Sequence, residues 1–248
     1  MKKHMIFGLG LAVVVCFVGL GHATVINFDG LEDGKRGKYW EIPSDYRNRG
    51  LVWDNMFYTN GNLFTSEPDN SSGISGYYYG MTSEPYVALN GPNLSEGDLW
   101  GAVKTIDGSL FDFTGAYFSS AWNIGLEITV KGYYNANGVS ELIASDSFEV
   151  GFDSQKTNGS YDLPDVFEPL WYDGNGIDFK NINYLKFSSS GGTPVDEDAG
   201  TGTQFVMDNF NFAKRTPIPE PATLLLLGLG LVALAGLSRK RKQNQSHR

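Results

Sequence analysis

The chain has 248 residues, with 19 Lys and Arg against 28 Asp and Glu, a formal charge of −9 at pH 7, one Cys and three His. Cys16, His4 and His22 lie before residue 24 and His247 at the far end, so residues 24–215 contain neither Cys nor His, and twelve Lys and Arg face twenty-seven Asp and Glu there, a net charge near −15. That composition excludes disulfides, Cys nucleophiles, Ser-His-Asp triads and the usual zinc sites, predicts no nucleic-acid role, and leaves oxygen as the metal ligand, which favours calcium.

At the amino end, Lys2 and Lys3 precede an apolar run from Met5 to Leu20, and Gly21-His22-Ala23 puts small residues at the two positions a signal peptidase reads. Residues 1–23 are therefore predicted to be a signal peptide, cut between Ala23 and Thr24. Cys16 does not read as a lipoprotein cysteine, because Val13-Val14-Val15 precedes it where a lipobox needs a small residue.

Residues 24–215, about 190 of them, are enough to bury one sizeable core in a single domain. Their periodicity is that of strands. Leu126, Ile128 and Val130 alternate with Glu127, Thr129 and Lys131, and Ile182, Tyr184 and Lys186 alternate with Leu185 and Phe187. Phe111 to Phe113 and Val206 to Phe212 add short aromatic-rich runs. Turn dipeptides recur between them: Asn60-Gly61, Asn90-Gly91, Asp107-Gly108, Asn137-Gly138 and Asp173-Gly174 among others. The pattern predicts an all-β fold, an antiparallel β-sandwich of jelly-roll-like type. Leu126 to Tyr134 and Val139 to Val150 read as one hairpin closed around Asn135-Ala136-Asn137-Gly138.

Four groups of residues in this domain could carry chemistry. The first joins its two ends, Asn27-Phe28-Asp29-Gly30-Leu31-Glu32-Asp33 and Val206-Met207-Asp208-Asn209-Phe210. These resemble jelly-roll carbohydrate-binding modules, in which first and last strands lie side by side and an acidic residue from each helps hold a structural calcium ion. The resemblance implies Asp29 or Glu32, with Asp208, as side-chain ligands; the residues by themselves read first as a turn at Asp29-Gly30 and a strand-end cap at Asp208. The second is Asp196-Glu197-Asp198, which lacks the order of an EF-hand loop and reads as a solvated loop.

The third is aromatic. Trp40, Trp53, Trp100, Trp122 and Trp171 are expected mostly in the core, whereas Tyr77, Tyr78 and Tyr79 sit in a Gly/Ser-rich stretch and cannot all face inward as consecutive strand residues. Those tyrosines are the predicted ligand-binding surface, since sugar rings stack on exposed aromatics. The fourth is the acid-base potential of the carboxylates: a glycosidase needs only two of them, yet no spacing here selects a pair, so no catalytic residue is assigned.

The carboxyl end carries the sharpest signal. Pro217, Pro219 and Pro221 forbid helix and central strand, and an apolar run of sixteen residues, Ala222 to Leu237, follows. As a helix it spans about 24 Å against a hydrocarbon core of about 30 Å. Its eight leucines favour insertion by roughly 2 to 5 kcal/mol, and snorkelling of Arg239 and Lys240 extends the span. Arg239, Lys240, Arg241 and Lys242 then keep that end in the cytoplasm, which puts residues 24–215 on the other side.

Pro219-Glu220-Pro221, a Leu/Gly-rich span and an Arg/Lys end together resemble the PEP-CTERM sorting signal of Gram-negative bacteria, also labelled the ice-binding protein C-terminal domain. The resemblance covers residues 216–242: motif 219–221, transmembrane helix 222–237, basic end 239–242. It implies recognition by an exosortase, cleavage near the motif, and export toward the cell surface, often together with exopolysaccharide. The expected route runs through signal peptidase and an intermediate anchored in the inner membrane, ectodomain in the periplasm. The expected role is non-catalytic, with polysaccharide as the candidate ligand; the alternative is a surface glycoside hydrolase or lyase using a carboxylate pair.

Overall fold

Alternation of apolar and polar side chains decides where each strand lies, and the strand Leu126–Ala136 shows it most plainly: Leu126, Ile128 and Val130 are fully buried, while Glu127, Thr129 and Lys131 face outward. The computed structural model describes residues 23–32, 38–43, 46, 50–64, 75–91, 99–151, 166–195, 202–215 and 230. The elements in chain order are β1 (Ala23–Ile26), β2 (Trp40–Glu41), β3 (Leu51–Asp54), β4 (Met56–Asn60), α1 (Gly76–Tyr79), β5 (Tyr86–Asn90), β6 (Leu99–Thr105), β7 (Phe111–Ser120), β8 (Asn123–Ile124), β9 (Leu126–Ala136), β10 (Val139–Val150), β11 (Leu170–Tyr172), β12 (Tyr184–Ser190), β13 (Thr193–Pro194) and β14 (Phe205–Lys214), with a 3-10 turn at Gly61–Phe64. Residues Gly21–Arg215 form one compact unit.

Two antiparallel sheets make up this unit. The first runs β11-β7-β14-β5-β4-β2, with β1 also paired to β14, and the second runs β10-β9-β12-β6-β3; β8 and β13 form a short ribbon. The sheets pack face to face over an aromatic core. Phe118 of β7 lies 5.6 Å from Phe187 of β12 between ring centroids, Trp53 of β3 lies 5.3 Å from Phe210 of β14, and Phe148 stacks on Tyr172 at 4.0 Å and 14°. Such ring pairs add about 0.5–1.5 kcal/mol each to the burial of their area.

The hairpin β9–β10 closes at Asn137-Gly138, whose φ values of 53° and 79° are the left-handed pair that a two-residue turn matching strand twist requires. The expected four-residue turn is thus tighter by two residues, because β9 continues through Ala136, which pairs with Val139.

The outer faces of the two sheets differ. On the first sheet, β5 is buried on both sides. Its Val87 and Leu89, with Val206 of β14, meet a second apolar cluster built from Phe64, Tyr77 and Ala121, with Tyr39, Phe57 and Trp122 packed against it. Gly76 lets α1 reach that face: a Cβ there would stand 1.6 Å from the Ser120 carbonyl oxygen. The outward rows of the second sheet are mostly polar, Lys, Tyr, Ser and Thr with Trp100 and Glu127, and the apolar Val139, Leu142 and Ile143 of its edge strand β10 are left exposed.

Candidate functional site

Two places come from the residue patterns, the junction of the first and last strands and the tyrosine run; strand register adds a third, the open face of the second sheet.

β14 changes neighbour along one edge. Val206 and Met207 pair with Leu89 and Ala88 of β5, then Phe210 to Ala213 pair with Ile26 to Ala23 of β1. At the changeover the register against β7 shifts and Asn209 takes a φ of 50°. Asp208 sits at this irregularity, fully buried. Its Oδ2 accepts from the Thr82 N–H at 2.9 Å, the Ser83 N–H at 2.7 Å and the Thr82 hydroxyl at 3.0 Å; its Oδ1 accepts from the Asn209 N–H at 2.7 Å. The Ser83 hydroxyl lies 3.0 Å from Oδ1 and 3.2 Å from the Asn27 carbonyl, so one proton is shared between the two ends of the chain.

Burial raises the Asp208 carboxyl above the usual carboxylate range, opposed by the N–H groups of Ser83, Thr82 and Asn209. Asp29 is raised as well, chiefly by burial, with Ser83 and Asn27 opposing. Asn27 donates to its Oδ2 at 2.5 Å, and its Oδ1 is buried without a hydrogen bond. Although Ser83 helps hold the Asp29 carboxyl down, its single proton is better placed for Asn27 and Asp208, so Oδ1 counts as the unpartnered atom.

The structure therefore brings Asp29 and Asp208 to the same serine, and the antiparallel pairing of β1 with β14 is what does it. Glu32 does not join them: its side chain is exposed, and its backbone carbonyl accepts from the Tyr58 hydroxyl at 2.6 Å. Asp208 is surrounded by donors rather than by oxygens, which suits an anion already neutralised in place. It is a latch that ties the Thr82-Ser83 loop to β14. Beside this latch, Asp29 Oδ1 is the one acceptor among these carboxylate oxygens without a hydrogen bond, while the Asn27 carbonyl accepts from the Ser83 hydroxyl. Among the described residues no three carboxylates gather in one place.

The tyrosine run does not present three exposed rings. Residues 76–79 form a helical turn rather than a strand or open loop, so the alternation expected of them does not apply. Tyr77 is completely buried, with ring centroids 4.7 Å from Phe64 and 5.4 Å from Trp122. Burial drives its hydroxyl well above the usual tyrosine range. It covers the apolar outer face of β5 and is withdrawn as a surface candidate; Tyr78 and Tyr79, 5.1 Å apart edge to face, are half-buried. Of the tryptophans, Trp53 is in the core, Trp40 and Trp122 pack against it or its satellite, Trp100 is half-exposed, and Trp171 is exposed beside Tyr117.

The open face of the second sheet forms ordered rows. Lys104, Tyr184, Tyr133 and Leu142 stand opposite one another across β6, β12, β9 and β10; the next row runs Ala102, Lys186, Lys131 and Ser145; the next Trp100, Ser188, Thr129 and Ser147. The rings of Tyr133 and Tyr184 are 5.9 Å apart, Lys186 Nζ lies 5.2 Å from the Trp100 ring centre, and the Thr129 and Ser147 hydroxyls are 2.9 Å apart. The short sequences Lys131-Gly132-Tyr133 and Tyr184-Leu185-Lys186 carried this signal. Antiparallel pairing sets Lys on Lys and Tyr on Tyr, and that register is invisible in either segment alone.

Residues 217–242 match the family of the PEP-CTERM protein-sorting motif. The chain carries a PEP-CTERM sorting signal. The motif implies exosortase as the processing partner and marks the tail as a membrane-anchored sorting signal for export. Pro219, Glu220, Pro221, the span 222–237 apart from Gly230, and Arg239 to Lys242 lie outside the described residues, as do residues 1–22. Among the described residues no helix is long and apolar enough to cross a membrane.

No curated protein sequence matches the chain. Among solved structures, a DUF4465 family protein from Bacteroides caccae is similar over 82% of this chain and 99% of its own, at 13% identity and a TM-score of 0.43. The K2 cleaved adhesin domain of Lys-gingipain aligns over 77% and 97%, at 10% and 0.38, and TmCBM61, in complex with β-1,4-galactotriose, over 66% and 87%, at 11% and 0.30. Likeness at this distance carries nothing about ligand or activity.

Proposed function

We propose that the chain is delivered by signal peptidase and exosortase processing to the cell surface or extracellular matrix, where its β-sandwich acts without catalysis as a polysaccharide-contacting module. The observation that carries the reading is the sorting motif at 217–242. The lack of His and Cys in residues 24–215 removes triad, thiol and zinc chemistry and leaves a carboxylate pair as the one catalytic alternative, for which no spacing selects two residues. Polysaccharide contact is supported by the aromatic and hydroxyl side chains on the open face of the second sheet. A glycan array and a reducing-sugar assay on the same preparation test it. Binding without turnover is expected; turnover would replace it with a carboxylate-pair hydrolase or lyase.

A second reading concerns calcium. The buried, unpartnered Asp29 Oδ1, beside the Asn27 carbonyl and Ser83 hydroxyl, favours a cation at the β1 end of the sandwich, with Asp29 as the ligand that carries charge. Calcium should raise the melting temperature of the wild type by several degrees and leave Asp29→Asn unmoved; equal melts in calcium and in EDTA would remove the metal.

A further inference from the structure

We infer that the outer face of the second sheet binds a sparsely charged acidic polysaccharide, with an anionic group held between Lys131 and Lys186 and sugar rings lying over Tyr133 and Tyr184. The inference rests on the polysaccharide reading above and names its ligand class and its surface.

Four observations converge. Lys131 of β9 and Lys186 of β12 are directly opposite in register, with both side chains outward and half-exposed. Like charges in that position oppose strand pairing. Among the described residues neither ammonium forms an ion pair, although the domain carries more than twice as many carboxylates as cations. The other lysine on this face, Lys104, already has Asp54 at 3.7 Å. The two cations without a carboxylate stand on neighbouring strands of an exposed sheet, Lys186 with its Nζ 5.2 Å from the Trp100 ring centre, an arrangement that an anion from outside completes.

The neighbours say which anion. On one side of the lysine row lies the Tyr133–Tyr184 pair, flanked by the exposed Leu142 of β10; on the other lie the hydroxyls of Ser188, Thr129 and Ser147, with Trp100 at the end. Flat aromatic surface next to a charge and then a line of hydroxyls complements a sugar chain, whose apolar ring faces and hydroxyls alternate. One row further, Glu127 faces Glu149, about 13 Å along β9 from Lys131 at the usual strand rise. Those carboxylates confine the attractive region to one or two anionic groups. Nucleic acid, with a charge every 1.7 Å or so of duplex axis, needs many cations in line and meets repulsion here. A glycan carrying one carboxylate or sulfate among neutral sugars does not.

Affinity electrophoresis of the full chain in mild detergent tests this, with hyaluronate as the sparsely charged probe, dextran as the neutral one, and polyacrylate as charge without sugar. Hyaluronate should retard the protein, polyacrylate and dextran much less. Lys131→Gln with Lys186→Gln should weaken hyaluronate binding at least tenfold, and Tyr133→Ser severalfold, with melting temperatures within about 4 °C of the wild type. Lys180→Gln, which removes an exposed cation elsewhere, should bind as the wild type does. Undiminished hyaluronate binding by the double lysine variant, or equal retardation by polyacrylate, overturns the inference. Binding to neutral glycans alone also overturns it while leaving the broader reading standing; silence across a whole glycan array overturns both.

Discussion

The outer faces of the two sheets are built from the same aromatic residue types and come to opposite ends. On the first sheet Val87, Leu89 and Val206 point outward, and that apolar row must be covered, so Tyr77, Phe64 and Trp122 fold over it as a third layer. On the second sheet the central strands turn lysine, serine and threonine outward, the apolar Leu142 lies on the edge strand β10 and is left exposed, and Tyr133, Tyr184 and Trp100 stay half-exposed. What decides whether an aromatic ring is core or contact surface is the polarity of the sheet beneath it. Aromatic density in the sequence does not.

The contrast is sharpest for stability. Tyr77→Ala should cost about 3–5 kcal/mol, as for a fully buried ring, while Tyr133→Ala stays within about 1 kcal/mol; urea unfolding of both checks this. Equal losses would mean that the second sheet is covered too. Next in size, Asp208→Ala should cost about 3 kcal/mol, because the N–H groups of Thr82, Ser83 and Asn209 lose their shared acceptor, and Ser83→Ala about 1 kcal/mol. If both variants melt together with the wild type, the latch between β14 and the Thr82-Ser83 loop is not a stabilising element. Gly138→Ala, at a φ of 79°, should cost about 1–2 kcal/mol and loosen the tip of the β9–β10 hairpin, readable as faster amide exchange there. The smallest effect belongs to the lysine pair: Lys131→Gln with Lys186→Gln should change stability by no more than about 0.5 kcal/mol, and in the stabilising direction at low salt.

The strands themselves were legible. Alternation in Leu126 to Lys131 places β9 correctly, and Asn137-Gly138 marks its turn, because both signals are local and one face of each strand is buried. The tyrosine run was misread for a local reason as well: reasoning from strand alternation fails on a helical turn, and Gly76, which allows that turn to approach Ser120, looks in sequence like any loop glycine. Asp29 and Asp208 meet through the pairing of the first and last strands, a contact between positions 179 residues apart that residue spacing does not encode and that only the resemblance to jelly-roll modules anticipates. That Asp208 would be filled with N–H donors follows from the loop crossing it at Thr82-Ser83, which carries no motif. The lysine row was equally hidden. Each strand shows one outward lysine, an ordinary solvated residue by itself, and only the register makes the two a pair.

Sorting through the tail is the claim on which location, and hence ligand, depends, and mass spectrometry of both ends of the mature protein from its native cells tests it most directly. Export with exosortase processing predicts an amino terminus at Thr24 and a carboxyl terminus near Pro219-Glu220-Pro221, with the basic end gone. Recovery of a chain that still starts at Met1 and ends at Arg248, free in the cytosol, would contradict it.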